Sequence, residues 1–148
     1  MQGGIPTKDI NYDIVRGFLE DHAHRIWVNY HGGIGCFDEQ NRRIVPLGNK
    51  ALEKYKVVND FKEDKMHRIW VVATQGLFVY SPATRRTLFP KDLVKDEATQ
   101  VKLNGPCKAL LIDRQGWIWV GTLNGLFVIN PKDKSSRFFG KAEGMVCC

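Results

Sequence analysis

The 148-residue sequence predicts an all-β chain made of three repeated four-stranded antiparallel units. Two observations carry this. First, Trp27, Trp70 and Trp119 each stand six residues after an aspartate (Asp21, Asp64, Asp113) and six before a glycine (Gly33, Gly76, Gly125). Second, the surrounding segments match: of FLEDHAHRIWVNYHGGIGCF, FKEDKMHRIWVVATQGLFVY and LLIDRQGWIWVGTLNGLFVI, the first two share nine of twenty positions and the last two share eight. Tryptophan spacings of 43 and 49 residues are those of an array built from one supersecondary unit at a time.

The second copy reads most clearly. Val57 to Phe61 alternates loosely, Arg68 to Ala73 is rich in branched and aromatic residues, Leu77 to Tyr80 is fully apolar, and Arg86 to Phe89 closes the unit. The units are expected over 12–47, 55–90 and 106–139. The six extra residues of the second interval fall in Lys91 to Gly105, an expected excursion outside the blades, and no stretch carries a convincing helical stripe.

The connections recur in register. Gly32-Gly33, Gln75-Gly76 and Asn124-Gly125 stand between the second and third strands, where a two-residue hairpin favours positive φ and Asn-Gly is the preferred pair. Between the first and second strands each aspartate is followed three residues later by His24, His67 or Gly116. The aspartate can accept backbone N–H bonds in the turn, and histidine and glycine tolerate the left-handed conformation. Asp21, Asp64 and Asp113 are therefore read as turn formers rather than a catalytic carboxylate set. The tryptophans are read as packing residues filling the gap to the next sheet, rather than a stacking row for bases or sugars. Ile26, Ile69 and Ile118, with Val28, Val71 and Val120, point to the opposite face.

Four-stranded sheets with two apolar faces, repeated about every 45 residues, define propeller blades. The run from Asp113 to Asn130, DRQGWIWVGTLNGLFVIN, resembles the two-component regulator propeller repeat. That resemblance covers nearly the whole chain and is weakest in the first copy, where Asn29-Tyr30-His31 replaces the pattern's Gly-Thr. It implies part of a β-propeller, residues 1–148, from the periplasmic sensor region of a hybrid two-component histidine kinase of the Bacteroidetes type, responding to glycan fragments. Similarity to streptogramin-lyase repeats implies the alternative, a fragment of a lyase-like propeller enzyme.

Gly4-Ile5-Pro6 precedes the first repeat much as Gly144-Met145 would precede a fourth, so the chain is expected to be a piece of a longer array. Kinase, receiver and DNA-binding segments are absent from these 148 residues. Because known rings use about four to eight blades, a homodimer completing a six-bladed ring is the expected assembly.

No run is apolar enough to span a bilayer, and MQGGIPTKDINYD lacks the basic and apolar regions of a signal peptide. The periplasmic location is implied by the resemblance alone. A net charge of +6 invites a nucleic-acid partner, with Arg42-Arg43, Arg85-Arg86, Lys132 and Lys134 on the rim that also carries Arg25, Arg68 and Arg114. Neighbouring acids, among them Glu20, Asp38, Glu63 and Asp133, nearly cancel it, so a solvated mixed-charge rim is expected and nucleic acid is not. An acidic glycan or a phosphate is the second reading of that rim.

Cys36 and Cys107 align with valines and read as small core residues, while the adjacent Cys147 and Cys148 lack zinc-site spacing. His22 and His24 alternate as a metal pair would, but His24 holds the turn position. Gly32-Gly33-Ile34-Gly35 has no following helix to make a phosphate loop. No catalytic residue, metal ligand or cofactor is assigned. Residues the repeat leaves unexplained, Tyr30, His31, Arg43 and Arg86, are the ligand-binding candidates for a small molecule or oligosaccharide.

Overall fold

The structure is a computed structural model that describes residues 11–140. The expectations placed on Gly4 to Pro6, Gly144-Met145 and Cys147-Cys148 lie outside them. The chain divides into two compact units, 1–58 and 59–148.

Among the described residues, twelve strands form three four-stranded antiparallel sheets, each with neighbouring strands in chain order. Blade 1 holds β1 (Asn11–Glu20), β2 (Ile26–His31), β3 (Gly33–Asp38) and β4 (Arg43–Pro46). Blade 2 holds β5 (Val58–Glu63), β6 (Ile69–Ala73), β7 (Gly76–Ser81) and β8 (Arg86–Leu88). Blade 3 holds β9 (Cys107–Ile112), β10 (Ile118–Thr122), β11 (Gly125–Ile129) and β12 (Ser136–Phe139).

Alternation sorts each blade into two faces. In blade 2, Trp70 lies opposite Val79, which lies opposite Leu88. This row packs into one core with Ile118, Val120, Phe127 and Ile129 from one face of blade 3. Every residue of β6 is buried, because Ile69, Val71 and Ala73 on its other face are buried too. Blade 1 has its own small cluster of Val28, Tyr30 and Ile44, with Ile26 packed against it.

The segment between blades 2 and 3 departs from the sequence reading. It forms α1 (Pro90–Leu93) and α2 (Glu97–Leu103), although no helical stripe is visible in the sequence. Asp96 caps α2, accepting from Thr99 N at 3.0 Å and Thr99 Oγ1 at 2.7 Å. The segment lies outside the sheets, yet Leu93, Val94 and Leu103 join the core that blades 2 and 3 share. A helix of two turns is too short to show periodicity, and tertiary burial holds it.

The hairpins also differ from expectation by one residue. Ala73 pairs with Gly76 and Thr122 with Gly125, so the two turn residues are Thr74-Gln75 and Leu123-Asn124, and each glycine opens the third strand. In blade 1 they are His31-Gly32, before Gly33. Positive φ falls on the strand-opening glycines, at 132° for Gly33, 137° for Gly76 and 150° for Gly125, and not on Asn124. Their lack of a side chain has a second use. A Cβ on Gly76 would stand 3.2 Å from the Leu103 carbonyl of α2, and one on Gly33 would stand 3.2 Å from that of Tyr55. The chain leaving each of these blades crosses above the glycine.

Candidate functional site

At the end of each blade opposite the hairpin, the turn between the first and second strands is built around its aspartate. In blade 2, Asp64 Oδ1 accepts from Met66 N and Arg68 N, both at 2.9 Å. Asp64 Oδ2 accepts from Arg68 Nε at 2.9 Å and from Trp70 Nε1 at 2.7 Å. Blade 1 repeats the set, with Asp21 Oδ2 taking Arg25 Nε at 2.7 Å and Trp27 Nε1 at 2.9 Å. In blade 3, Asp113 Oδ1 takes Gln115 N and Trp117 N, and Oδ2 takes Trp119 Nε1 at 2.9 Å. His24 and His67, at φ 64°, and Gly116, at φ 89°, hold the left-handed corner.

Six residues therefore separate aspartate from tryptophan because one carboxylate folds the turn with one oxygen and anchors the indole with the other. Sequence reading assigned the two residues separate tasks and missed this bond. The invariant spacing was the signal for it. The hydrogen bonds also set the charge state. Burial pushes the Asp21 carboxyl up, but bonds from Trp27 and Arg25, with the guanidinium charge, bring it below its ordinary value. The Trp119 bond, reinforced by backbone N–H groups and opposed by burial, lowers Asp113.

On the same rim of the second unit lie two clefts that meet at Pro131. One, of about 390 Å³, includes Asp64, Lys65, Gln115, Trp117, Asn130 and Lys132 in its walls. Lys65 donates from Nζ to the Arg114 carbonyl there. The other, of about 330 Å³, is lined by Arg68, Arg86, Asp92 and Lys134 over leucine and proline side chains. The β7–β8 and β11–β12 turns place Arg85 and Lys134 at φ 59° and 65°, closed by Arg85 N to Ser81 O and Lys134 N to Asn130 O.

The four candidate ligand residues do not form one group. Tyr30 is buried in the blade 1 cluster with Val28 and Ile44, so it packs instead of facing solvent. His31 is exposed beside it, in the β2–β3 hairpin. Arg43 opens β4 at the opposite end of the same blade, with its Nε buried and unbonded. Arg86 lines the 330 Å³ cleft. His24 is exposed and its Nδ1 lies 2.9 Å from Glu20 Oε2. Cys107 is fully buried, and burial pushes its thiol up to about 12, so it is an inert core residue; Cys36 is half-buried and its thiol is also raised by burial.

Four-stranded antiparallel sheets, each with an aspartate-locked turn between its first two strands, and with the Trp70 face of blade 2 packed on blade 3, define a protein of β-propeller blades. Residues 103–124 match the family model described as two component regulator propeller. Among solved structures, the chain is similar to the extracellular domain of a hybrid two component system from B. thetaiotaomicron, at 20% identity with a TM-score of 0.66. The match covers 88% of this chain and 18% of that one. The chain is also similar to a catalytically inactive virginiamycin B lyase from Staphylococcus aureus crystallised with quinupristin, at 13% identity with a TM-score of 0.57, over 88% of this chain and 43% of that one. Both likenesses bear on the fold. No curated protein matches the chain.

Proposed function

We propose that this chain is a non-catalytic recognition scaffold, one part of the periplasmic sensor region of a hybrid two-component histidine kinase that responds to glycan fragments. The observation that carries the reading is the two-component regulator propeller match at 103–124, in a chain that repeats the same unit three times. Its recurrent carboxylates support it as well. Asp21, Asp64 and Asp113 are spent on turn N–H groups and indoles, which leaves none of them free to act as a general base. The lyase-like alternative rests on shared scaffold, and scaffold does not fix chemistry.

A second copy is the proposed completing partner. In blade 3, Leu111, Trp119, Val128 and Arg137 form one cross-strand row, and Leu126 lies opposite Phe139 in the next. The equivalent Trp70 row of blade 2 is covered by blade 3, whereas Leu111 is 56% exposed and Phe139 38%. A blade docked on this face would bury it.

Ligands of propellers contact rim loops or the central channel, where several blades each contribute a residue. A few blades then hold only part of such a site. Titration calorimetry with a panel of neutral oligosaccharides is expected to give weak or undetectable heats, with no product released. Micromolar affinity for one of them would overturn the partial-site reading. Turnover that is abolished by replacing His22, His24 or His31 would overturn the non-catalytic one.

A further inference from the structure

Three cations converge on a cleft whose wall carries a single carboxylate. Arg68, Arg86 and Lys134 line the 330 Å³ cleft of the second unit, and Asp92 is its one acidic wall residue. Asp92 is already engaged, since its Oδ2 accepts from Phe89 N at 3.0 Å. Neither Arg86 nor Lys134 forms an ion pair among the described residues.

Arg68 differs from an ordinary surface arginine. Its side chain is only 16% exposed, its Nε is tied to Asp64 Oδ2, and its guanidinium stands 5.9 Å from the Trp70 ring centre. Its Nη2 is buried and has no hydrogen-bond partner. The Arg68 guanidinium forms part of the cleft wall, so its positive charge, with those of Arg86 and Lys134, favours an oxyanion there. The aspartate clamp fixes the guanidinium in advance, so little side-chain entropy is lost on binding. Leu88, Leu93 and Pro131 keep part of the cleft wall apolar, which strengthens charge–charge attraction inside it.

The neighbouring cleft lacks this combination. Its Lys65 is bonded to the Arg114 carbonyl, and Asp64 forms part of its wall. At the position equivalent to Arg68, blade 3 carries Trp117 while blade 1 carries Arg25, so blade 3 does not repeat this cationic wall.

We propose that the cleft formed by Arg68, Arg86 and Lys134 is a binding site for a small oxyanion, the carboxylate, sulfate or phosphate group of a small molecule. The site does not depend on the sensor reading, because an oxyanion binds here whether or not the chain signals.

The test is titration of the whole chain at fixed low ionic strength with inorganic phosphate, inorganic sulfate and glucuronate, with glucose as the uncharged control. At least one oxyanion is expected to bind saturably and glucose not at all. The ranking separates a tetrahedral anion from a planar carboxylate. Arg86→Gln and Lys134→Asn, the second chosen because asparagine accepts the left-handed backbone, are each expected to weaken binding about ten- to hundredfold while leaving the circular dichroism spectrum unchanged. Arg86→Lys is expected to keep part of the affinity, since it retains the charge and loses the fork. No saturable binding of any of the three anions would overturn the proposal, and so would equal affinity in a folded double variant.

Discussion

A single carboxylate oxygen separates a turn-forming aspartate from one that holds a blade together. Asp64 Oδ2 receives both Trp70 Nε1 and Arg68 Nε in a buried setting. Asp64→Asn would place an amide N–H₂ or a poorer acceptor against those donors, and a loss of about 2–4 kcal/mol in denaturant unfolding is expected. Trp70→Phe keeps most of the packing and removes one donor, so its loss should be smaller, about 1–2 kcal/mol. The same bonds give a pH dependence. Asp21 and Asp113 titrate lower in the folded chain than their unbonded value of 3.8, so the unfolded chain takes up protons first as the pH falls. The stability they contribute is complete above about pH 5 and is lost as pH drops through their lowered folded values. Acid unfolding followed by tryptophan fluorescence should therefore be shallower in Asp113→Asn, which no longer titrates there. At this scale the sequence displayed the residues and their spacing. It did not display the indole bond, because a periodic pattern reports position and not which oxygen meets which donor.

Among the elements, the strands were legible and the connections less so. An apolar run opening on Ile-Trp-Val identifies β2, β6 and β10 directly, since strands buried on both faces read as near-continuous apolar runs. Asn124-Gly125 suggested a turn with glycine inside it, but Gly125 starts β11 at φ 150°, where a Cβ would come within 2.5 Å of the Phe139 carbonyl. The packing of β12 decides that glycine, and turn propensity does not see a residue fourteen positions away. Gly125→Ala should cost about 2–4 kcal/mol through strain and clash combined. Gly116→Ala, at φ 89° with only the flexible Lys65 stem nearby, should cost about 1–2 kcal/mol. α2 was invisible because seven residues cannot show a stripe, yet Leu103 is fully buried. Leu103→Ala is expected to destabilise by about 2–5 kcal/mol, while the neighbouring Val101→Ala, largely exposed, should change stability by less than about 1 kcal/mol.

At the scale of the whole molecule, recurrence sorts structural residues from candidates for function. Almost every repeated side chain is absorbed into a turn, a ladder or the core, and what functional character remains comes from positions where the repeats differ. Arg86 was visible as such a position only against blade 3, which opens β12 with Ser136 where β4 and β8 open with Arg43 and Arg86. Arg68 was not, because a sequence pattern does not show its bond to Asp64, and its unbonded Nη2 is a feature of burial alone. Tyr30 was misleading for the opposite reason: it departs from the repeat and yet fills the blade 1 core. The apolar Trp119 face of blade 3 follows from the same logic, since the Trp70 face of blade 2 needs a neighbouring blade to cover it. Pairing of two copies through this face is the proposed assembly. Light scattering of the chain at low micromolar concentration tests this most directly. The account predicts a particle of twice the 16.9 kDa chain mass, reduced to the monomer by Leu111→Glu on the blade 3 face, and a well-folded wild-type monomer of 16.9 kDa would contradict it.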